Sequence, residues 1–118
     1  MATIRLLVAT QDRDMLVSLL IFLHEETSLY VVGTASDVPS LLALIQSTQP
    51  DVVLVDELLI VDQNANFDHA LALPESRPRL LVMAADENST PWVPLADGLI
   101  PKYAPPTVLL ERLKQIID

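Results

Sequence analysis

The sequence predicts an α/β fold: a doubly wound, five-stranded parallel sheet with helices on both faces. Three observations lead to this prediction. Short aliphatic runs alternate along the chain with segments whose apolar residues recur at helical spacing. The aliphatic runs are continuous, which is typical of strands covered on both faces. The 118 residues suffice for a single domain over positions 1–118 with a substantial core, and are too few for two.

Five strands are predicted, each bounded by a local break. The third is the clearest, because Pro50 and Asp51 precede four consecutive aliphatic residues that end on Asp56. The second and fifth are short, and the fifth starts at Gly98. The predicted strands cover residues 4–9, 30–34, 52–56, 80–84 and 98–101.

Helices are predicted between the strands from their capping residues. Asp12 can accept a backbone N–H at the start of a helix over 13–24. Ser36 or Asp37 can cap a second helix, with Pro39 in its first turn. A weaker helical pattern covers 67–73, and a closing helix covers 106–117. In the first helix, the residues expected to face the core are Leu16, Leu19, Leu20 and Leu23.

Composition excludes several classes of function. Seven basic and sixteen acidic residues give a net charge of −9, which argues against direct nucleic-acid binding by this domain. The absence of cysteine excludes disulfides and cysteine-ligated zinc. No uncharged apolar run approaches the ~20 residues of a membrane span. The chain enters its first strand at once, leaving no room for a signal peptide, so we expect a cytoplasmic protein without membrane contact.

One side chain stands out as chemically interesting. Asp56 lies at the carboxyl end of the third predicted strand, where open α/β sheets place reactive groups. A carboxylate at such a position can act as a nucleophile and carry a phosphoryl group. A carboxylate that only caps the following loop is the alternative.

Four segments, in this order and spacing, give the chain a resemblance to a known family. It resembles the receiver domain of two-component response regulators over essentially its whole length, especially regulators with a helix-turn-helix output domain. The resemblance implies a flavodoxin-like fold with strand order 2-1-3-4-5 and a site at the carboxyl ends of strands one, three and four. The four segments are residues 4–8, 31–37, 50–56 and 96–102.

The resemblance assigns a role to each site position. Asp56 matches the phosphoacceptor, and Lys102 matches the lysine that pairs with the phosphoryl group. The acidic pair that normally holds Mg²⁺ with the phosphoacceptor is replaced by neutral Thr10 and Gln11, which could instead satisfy backbone groups of the loop. Asp12 follows as a possible residual acid, although helix capping is its expected role.

Two further positions depart from the family pattern. Ala84 stands where the family has a hydroxyl residue that hydrogen-bonds the phosphoryl group, and Leu99 stands at the aromatic switch position. The fourth helix is expected to be short, because Pro91 and Pro94 interrupt the segment 86–97. These changes extend the loss of the phosphorylation machinery to the residues that would respond to it.

These departures predict a degenerate receiver, or pseudo-receiver: a signalling module that works through protein–protein interaction, is not an enzyme and needs no cofactor. The first alternative is a working phospho-receiver with Asp56 as acceptor, in which Asp12 or Asp14 supplies the missing acid and Mg²⁺ is required. The second is a small flavodoxin-like enzyme or nucleotide-binding domain. It is disfavoured because the chain has only two glycines and no glycine-rich phosphate loop.

The first helix also predicts a contact surface. Between Asp14 and His24 it contains no charged residue. At ~100° per residue, Val17, Ile21 and Phe22 fall on the flanks and outer side. Since soluble domains seldom leave such a strip uncovered, we expect a homodimer or another protein partner there.

Overall fold

The computed structural model describes residues 3–59, 78–84, 97–101 and 104–117. The helical pattern predicted over 67–73, the short fourth helix within 86–96, and Lys102 therefore lie outside the described residues. No helix of the described part is both long and apolar enough to cross a membrane. The strands are β1 (Ile4–Ala9), β2 (Leu29–Ala35), β3 (Val52–Asp56), β4 (Arg79–Ala84) and β5 (Gly98–Pro101), and the helices are α1 (Arg13–His24), α2 (Val38–Thr48) and α3 (Pro106–Ile117).

All five strands form one parallel sheet in the order β2-β1-β3-β4-β5. This confirms the predicted flavodoxin-like topology and the central position of β1 and β3. Strand β2 lies at the edge of the sheet on one side of β1, and β3 lies on the other side of β1. Strand β1 is followed in sequence by β2 on one side and β3 by β4 on the other, so the carboxyl ends of β1 and β3 mark the topological switch point where open α/β sheets bind ligands.

The sheet divides the core into two apolar layers. Successive side chains of a strand point to opposite faces, so Leu6 and Val8 of β1 contact one layer and Leu7 and Ala9 the other. The first layer contains buried residues of α1 and α3, and the second contains buried residues of α2. Because both faces are covered, the central strands are apolar without alternation.

Helix α1 begins as predicted but is rotated relative to the expected buried stripe. Asp12 caps it by accepting a hydrogen bond from the Met15 amide at 3.1 Å. Met15 and Leu23 are its fully buried residues, and Phe22 packs partly against the same core layer, whereas Leu20 is only half-buried. The prediction that placed Leu20 in the buried stripe was wrong, because Met15 takes part in that stripe instead; Phe22, predicted on the flanks and outer side, packs partly against the core.

Helix α2 is fixed at both ends. Asp37, one of the two predicted caps, accepts a hydrogen bond from the Ser40 amide at 2.7 Å. This hydrogen bond lowers the pKa of Asp37 below its ordinary value of 3.8. The ionised Asp37 therefore stabilises the fold fully at pH values above 3.8, and this stabilisation is lost as the pH falls through the lowered pKa of the folded protein. The helix ends because Gln49 is left-handed, with φ of 47°, and Pro50 cannot continue it.

Two aspartates fix the amino-terminal edge of the sheet in the same way. Asp51, before β3, accepts a hydrogen bond from the Arg5 amide at 2.9 Å, and its own amide donates to the Arg5 carbonyl at 2.8 Å. Asp97, before β5, makes the equivalent pair with Leu80 at 2.7 and 2.8 Å. Each carboxylate thus extends a strand pair by one hydrogen bond beyond the backbone ladder, which helps to fix the register.

We expect Asp97→Ala to lower the free energy of unfolding by about 1–2 kcal/mol, because the Leu80 amide loses a charged acceptor. Asp97→Asn retains an acceptor oxygen and should lose less. Glu111→Ala, at an exposed position of α3, is the control and should change stability by less than about 0.5 kcal/mol. Urea unfolding of the four proteins measures the difference. Equal stability of Asp97→Ala and Glu111→Ala would contradict the assigned role.

Candidate functional site

The carboxyl ends of β1, β3 and β4 bring three of the predicted site positions to one edge of the sheet. Ala9 pairs with Val55 across β1 and β3, so the next positions, Thr10 and Asp56, lie side by side. Strand β4 continues the edge with Ala84 as its last residue. These three positions therefore lie at the carboxyl ends of neighbouring strands, as the strand order requires.

Asp56 is almost completely buried at this edge, with 3% of its surface exposed. Its Oδ2 accepts a hydrogen bond from the Thr10 hydroxyl at 3.1 Å, and its Oδ1 accepts one from the Leu58 amide at 3.0 Å. Both carboxylate oxygens are thus engaged within the protein. These bonds fix the orientation of the carboxylate and compensate part of the cost of removing it from water.

Thr10 is as buried as Asp56, with 2% of its surface exposed, and it links three parts of the chain. Its hydroxyl oxygen accepts a hydrogen bond from the Asp12 amide at 3.1 Å while the hydroxyl donates to Asp56. Its own amide donates to the Ala35 carbonyl at the end of β2. The prediction that Thr10 could satisfy backbone groups of the loop describes only part of this role, because Thr10 also binds the Asp56 carboxylate.

The other predicted positions are separate from this hydrogen-bond chain. Gln11 is exposed in the bend after β1. Asp12 is partly buried and directs Oδ1 to the Met15 amide, as expected of a helix cap. Ala84 is fully buried and presents only a methyl group. Leu99 is half-buried and packs against the α2 layer of the core.

The described side chains do not fit the Mg²⁺ site that the receiver fold uses. Mg²⁺ requires near-octahedral oxygen ligands, usually including more than one carboxylate. Here Asp56 lies beside the neutral Thr10, and the Asp12 carboxylate accepts the Met15 amide at the start of α1. Within the described ranges, no three His, Cys, Asp or Glu side chains are grouped so that they could hold a metal ion.

Among the described residues, this arrangement orients the Asp56 carboxylate through hydrogen bonds from Thr10 and Leu58. Phosphoryl transfer to Asp56 would require one of its oxygens to approach the donor, and the existing hydrogen bonds direct both oxygens toward protein groups. It would also require positive charge or hydrogen-bond donors around the transferred oxygens. Ala84, at the end of the neighbouring strand, has no polar side-chain atom to contribute.

Sequence reasoning identified Asp56 and Thr10 separately but missed the bond between them. The strand order supplies the signal that could have found it. Once β1 and β3 are neighbours, the residues that follow Ala9 and Val55 must lie close together. A hydroxyl beside a buried carboxylate is then expected to donate to it.

We expect the Thr10 hydroxyl and the Asp56 carboxylate to be energetically coupled. In a double-mutant cycle of Thr10→Val and Asp56→Ala, urea unfolding should give an interaction energy of about 1–3 kcal/mol, since both groups are buried. The cycle cancels the separate loss of the Asp12 amide bond to Thr10. Strictly additive effects would show that the hydrogen bond contributes nothing to stability.

We also expect millimolar Mg²⁺ to leave the protein unchanged. One carboxylate beside Thr10 provides too little negative charge to strip water from an ion that dehydrates reluctantly. Calorimetric titration should show no saturable heat, and the melting temperature should not move relative to a matched Ca²⁺-free, Mg²⁺-free sample. A saturable heat that disappears in Asp56→Asn would contradict this expectation.

Solved structures of receiver domains have folds similar to that of this chain. The signal receiver domain of the response regulator NarL from Mycobacterium tuberculosis superposes with a TM-score of 0.86 at 25% identity, covering 99% of this chain and 98% of that one. The response regulator domain of Thermotoga maritima CheB gives 0.77 at 22% identity, covering 98% and 96%. RcsB of Salmonella typhimurium gives 0.81 at 16% identity, and the match covers 98% of this chain but 62% of RcsB.

The resemblance lies in structure more than in sequence. No protein-family model matches the chain, and no curated protein sequence matches it. The TM-scores of 0.86 and 0.77, each over nearly the whole length of both chains, nevertheless show a fold shared with the NarL and CheB domains. The chain therefore has the fold of a response-regulator receiver domain.

Proposed function

We propose that this chain is a degenerate receiver: a cytoplasmic signalling module that acts by contacting another protein and is not switched by Mg²⁺-dependent phosphorylation of Asp56. The observation that supports the proposal is the hydrogen bond from the buried Thr10 hydroxyl to Asp56 Oδ2. It stands at a position where the receiver resemblance implies a metal-binding acid. The negative net charge of −9 leads us to expect no direct nucleic-acid contact by this domain.

The charge around Asp56 supports this proposal. Transfer of a phosphoryl group concentrates negative charge, which Mg²⁺ and its acidic ligands normally neutralise and position. Thr10 and Gln11 are neutral, and Gln11 is exposed to solvent. Asp56 thus has a hydroxyl rather than a metal-binding carboxylate at the Thr10 position, and the described side chains of Thr10 and Gln11 supply no charge to the reaction.

The positions that would respond to phosphorylation support the same reading. Ala84 ends β4 fully buried and offers no hydroxyl to a phosphoryl group. Leu99 is packed against the α2 layer of the core and has no polar atom with which to follow such a movement. Neither side chain could therefore form a hydrogen bond with a phosphoryl group on Asp56.

Asp56 has a structural role that explains its presence without phosphorylation. Its Oδ1 accepts the amide of Leu58, within a helical turn at 57–59, and its Oδ2 accepts the Thr10 hydroxyl. It thus ties the loop after β1 to the segment after β3. This is the capping role that was the alternative to nucleophilic chemistry.

The working phospho-receiver remains the competing proposal, and the geometry gives it less support. It needs Asp12 or Asp14 to replace the missing acid. Asp12 Oδ1 accepts the Met15 amide at 3.1 Å, and moving Asp12 to a metal would break this helix cap. Asp14 is exposed in the first turn of α1 and borders an open cavity toward α3 rather than pairing with Thr10 or Asp56.

We expect acetyl phosphate with Mg²⁺ to leave the mass of the intact protein unchanged. The matched comparison is a triple variant, Thr10→Asp, Gln11→Asp and Ala84→Thr, which supplies the acidic pair and the hydroxyl. Mg²⁺ should raise the melting temperature of this variant, because it neutralises the buried carboxylates. The variant should also gain one phosphoryl group. A phosphoryl adduct on the wild type that Asp56→Ala abolishes would overturn the degenerate reading.

A further inference from the structure

A cavity of about 570 Å³ lies between α1, α3 and the carboxyl ends of β4 and β5. Its volume is within the range of roughly 300–1,000 Å³ that is typical of pockets for small organic molecules. Neither Thr10 nor Asp56 borders it, so it is distinct from the hydrogen-bonded pair described above. We call it the α1–α3 cavity. Its apolar walls include Met15, Leu19, Phe22, Met83, Ile100 and Leu109.

The walls of the α1–α3 cavity are suited to an apolar body. Four of these six side chains are almost completely buried, from 2% exposed for Ile100 to 7% for Met15, while Leu19 and Phe22 are half-buried. A molecule in the cavity would remove apolar surface of the two half-buried side chains from water. Methionine side chains adapt to irregular shapes, and their sulfur atoms contact aromatic rings favourably. An aromatic group therefore fits beside Met15 and Met83.

One end of the α1–α3 cavity is negatively charged. Asp12 and Asp14 border it at the amino end of α1, and Ser18 adds a hydroxyl about one turn farther along the helix. Among the described lining residues, these two aspartates are the only ionisable ones. Their two charges exceed the positive end of the helix dipole, which amounts to roughly half a charge. The net charge of −9 adds to the same negative potential.

We propose that the α1–α3 cavity binds a small amphiphilic organic cation, with its ammonium group near Asp12 and Asp14 and its apolar body against Phe22 and Met83. Phe22 follows Asp14 by eight residues of α1, which is about 12 Å along the helix axis. A primary amine joined to a phenyl ring by a four-carbon chain spans a similar length. The inference goes beyond the proposed function, because it gives the domain an input that needs no phosphoryl group on Asp56.

Charge complementarity is the reason for choosing a cation as the occupant. An anion with the same apolar body would be repelled by both aspartates, and a neutral molecule would gain no attraction from them. Because ion pairs near solvent contribute little, most of the affinity comes from burial of the apolar body, and the two carboxylates mainly select the sign of the ligand's charge. For a ligand of about eleven non-hydrogen atoms, we expect a dissociation constant of about 0.1–1 mM.

The first experiment is an NMR titration of the whole chain, labelled at its methionine methyl groups, with 4-phenylbutylamine. The signals of Met15 and Met83, assigned with Met15→Leu and Met83→Leu, should shift together and saturate. 4-Phenylbutyrate, which has the same ring and chain length but the opposite charge, should bind at least ~10-fold more weakly. Butylamine, which carries the positive charge without the ring, should also bind at least ~10-fold more weakly.

Asp14→Asn tests the charged end of the cavity, because Asp14 is exposed and its replacement leaves the helix cap at Asp12 in place. It should weaken binding of 4-phenylbutylamine about threefold and reduce the preference over 4-phenylbutyrate. Glu25→Gln is the matched control. It removes the same charge from the other end of α1, about 16 Å away and beyond the screening length of about 8 Å at physiological salt. It should bind the amine like the wild type.

Ser18→Trp tests the cavity itself, since Ser18 is exposed and borders it, and a large ring there fills part of the space. It should abolish saturable binding, whereas Val17→Trp, at the neighbouring exposed position outside the cavity lining, should not. Equal affinity for the amine and the carboxylate would overturn the proposal. The absence of a saturable shift at Met15 and Met83, the result expected if a polypeptide segment occupies the cavity instead, would also overturn it. These readouts do not involve Asp56, so failure of this inference is distinguishable from failure of the proposed function.

Discussion

A buried carboxylate at the edge of a parallel sheet must have hydrogen-bond donors, and in this protein Thr10 and the Leu58 amide supply them. This requirement connects the parts of the domain. Thr10 binds Asp56 and also accepts the Asp12 amide, and Asp12 in turn caps α1. The start of α1 is therefore fixed by the same short chain of hydrogen bonds that fixes Asp56.

These hydrogen bonds join the segments that follow β1 and β3 at the position where the receiver resemblance implies a reactive site. A metal-binding carboxylate in place of Thr10 would lie against Asp56 and would need a cation to offset the repulsion. The Thr10 hydroxyl needs no such cation, because it donates a hydrogen bond to the Asp56 carboxylate directly. In the proposed function, Thr10 thus takes the place of a metal-binding acid, and its hydroxyl occupies one oxygen of Asp56. In that function, contact with another protein replaces phosphorylation of Asp56 as the way the domain signals.

Most of the fold was predictable because the local sequence signals and the tertiary packing favour the same helices and strands. The ends of β3 and β5 and the span of α1 follow from Pro50, Gly98 and Asp12 and were confirmed. The ends of β2 were underestimated, because Leu29 and Ala35 belong to the strand through pairing with Ile4 and Ala9. The rotation of α1 was also misjudged, because burial of Met15 depends on packing against the sheet. The bond between Thr10 and Asp56 required the strand order, which no local pattern contains.

In the proposed function, Asp56 is a structural carboxylate held by Thr10, and not an acceptor open to Mg²⁺ and a phosphoryl group. Beryllofluoride, which mimics a phosphoryl group on a carboxylate, tests it directly. Fluorine NMR with Mg²⁺ present, together with the side-chain carboxyl carbon resonance of Asp56, reports any adduct. We expect only free beryllofluoride signals and an unchanged Asp56 resonance. A bound fluorine signal with a saturating shift of the Asp56 resonance would contradict it.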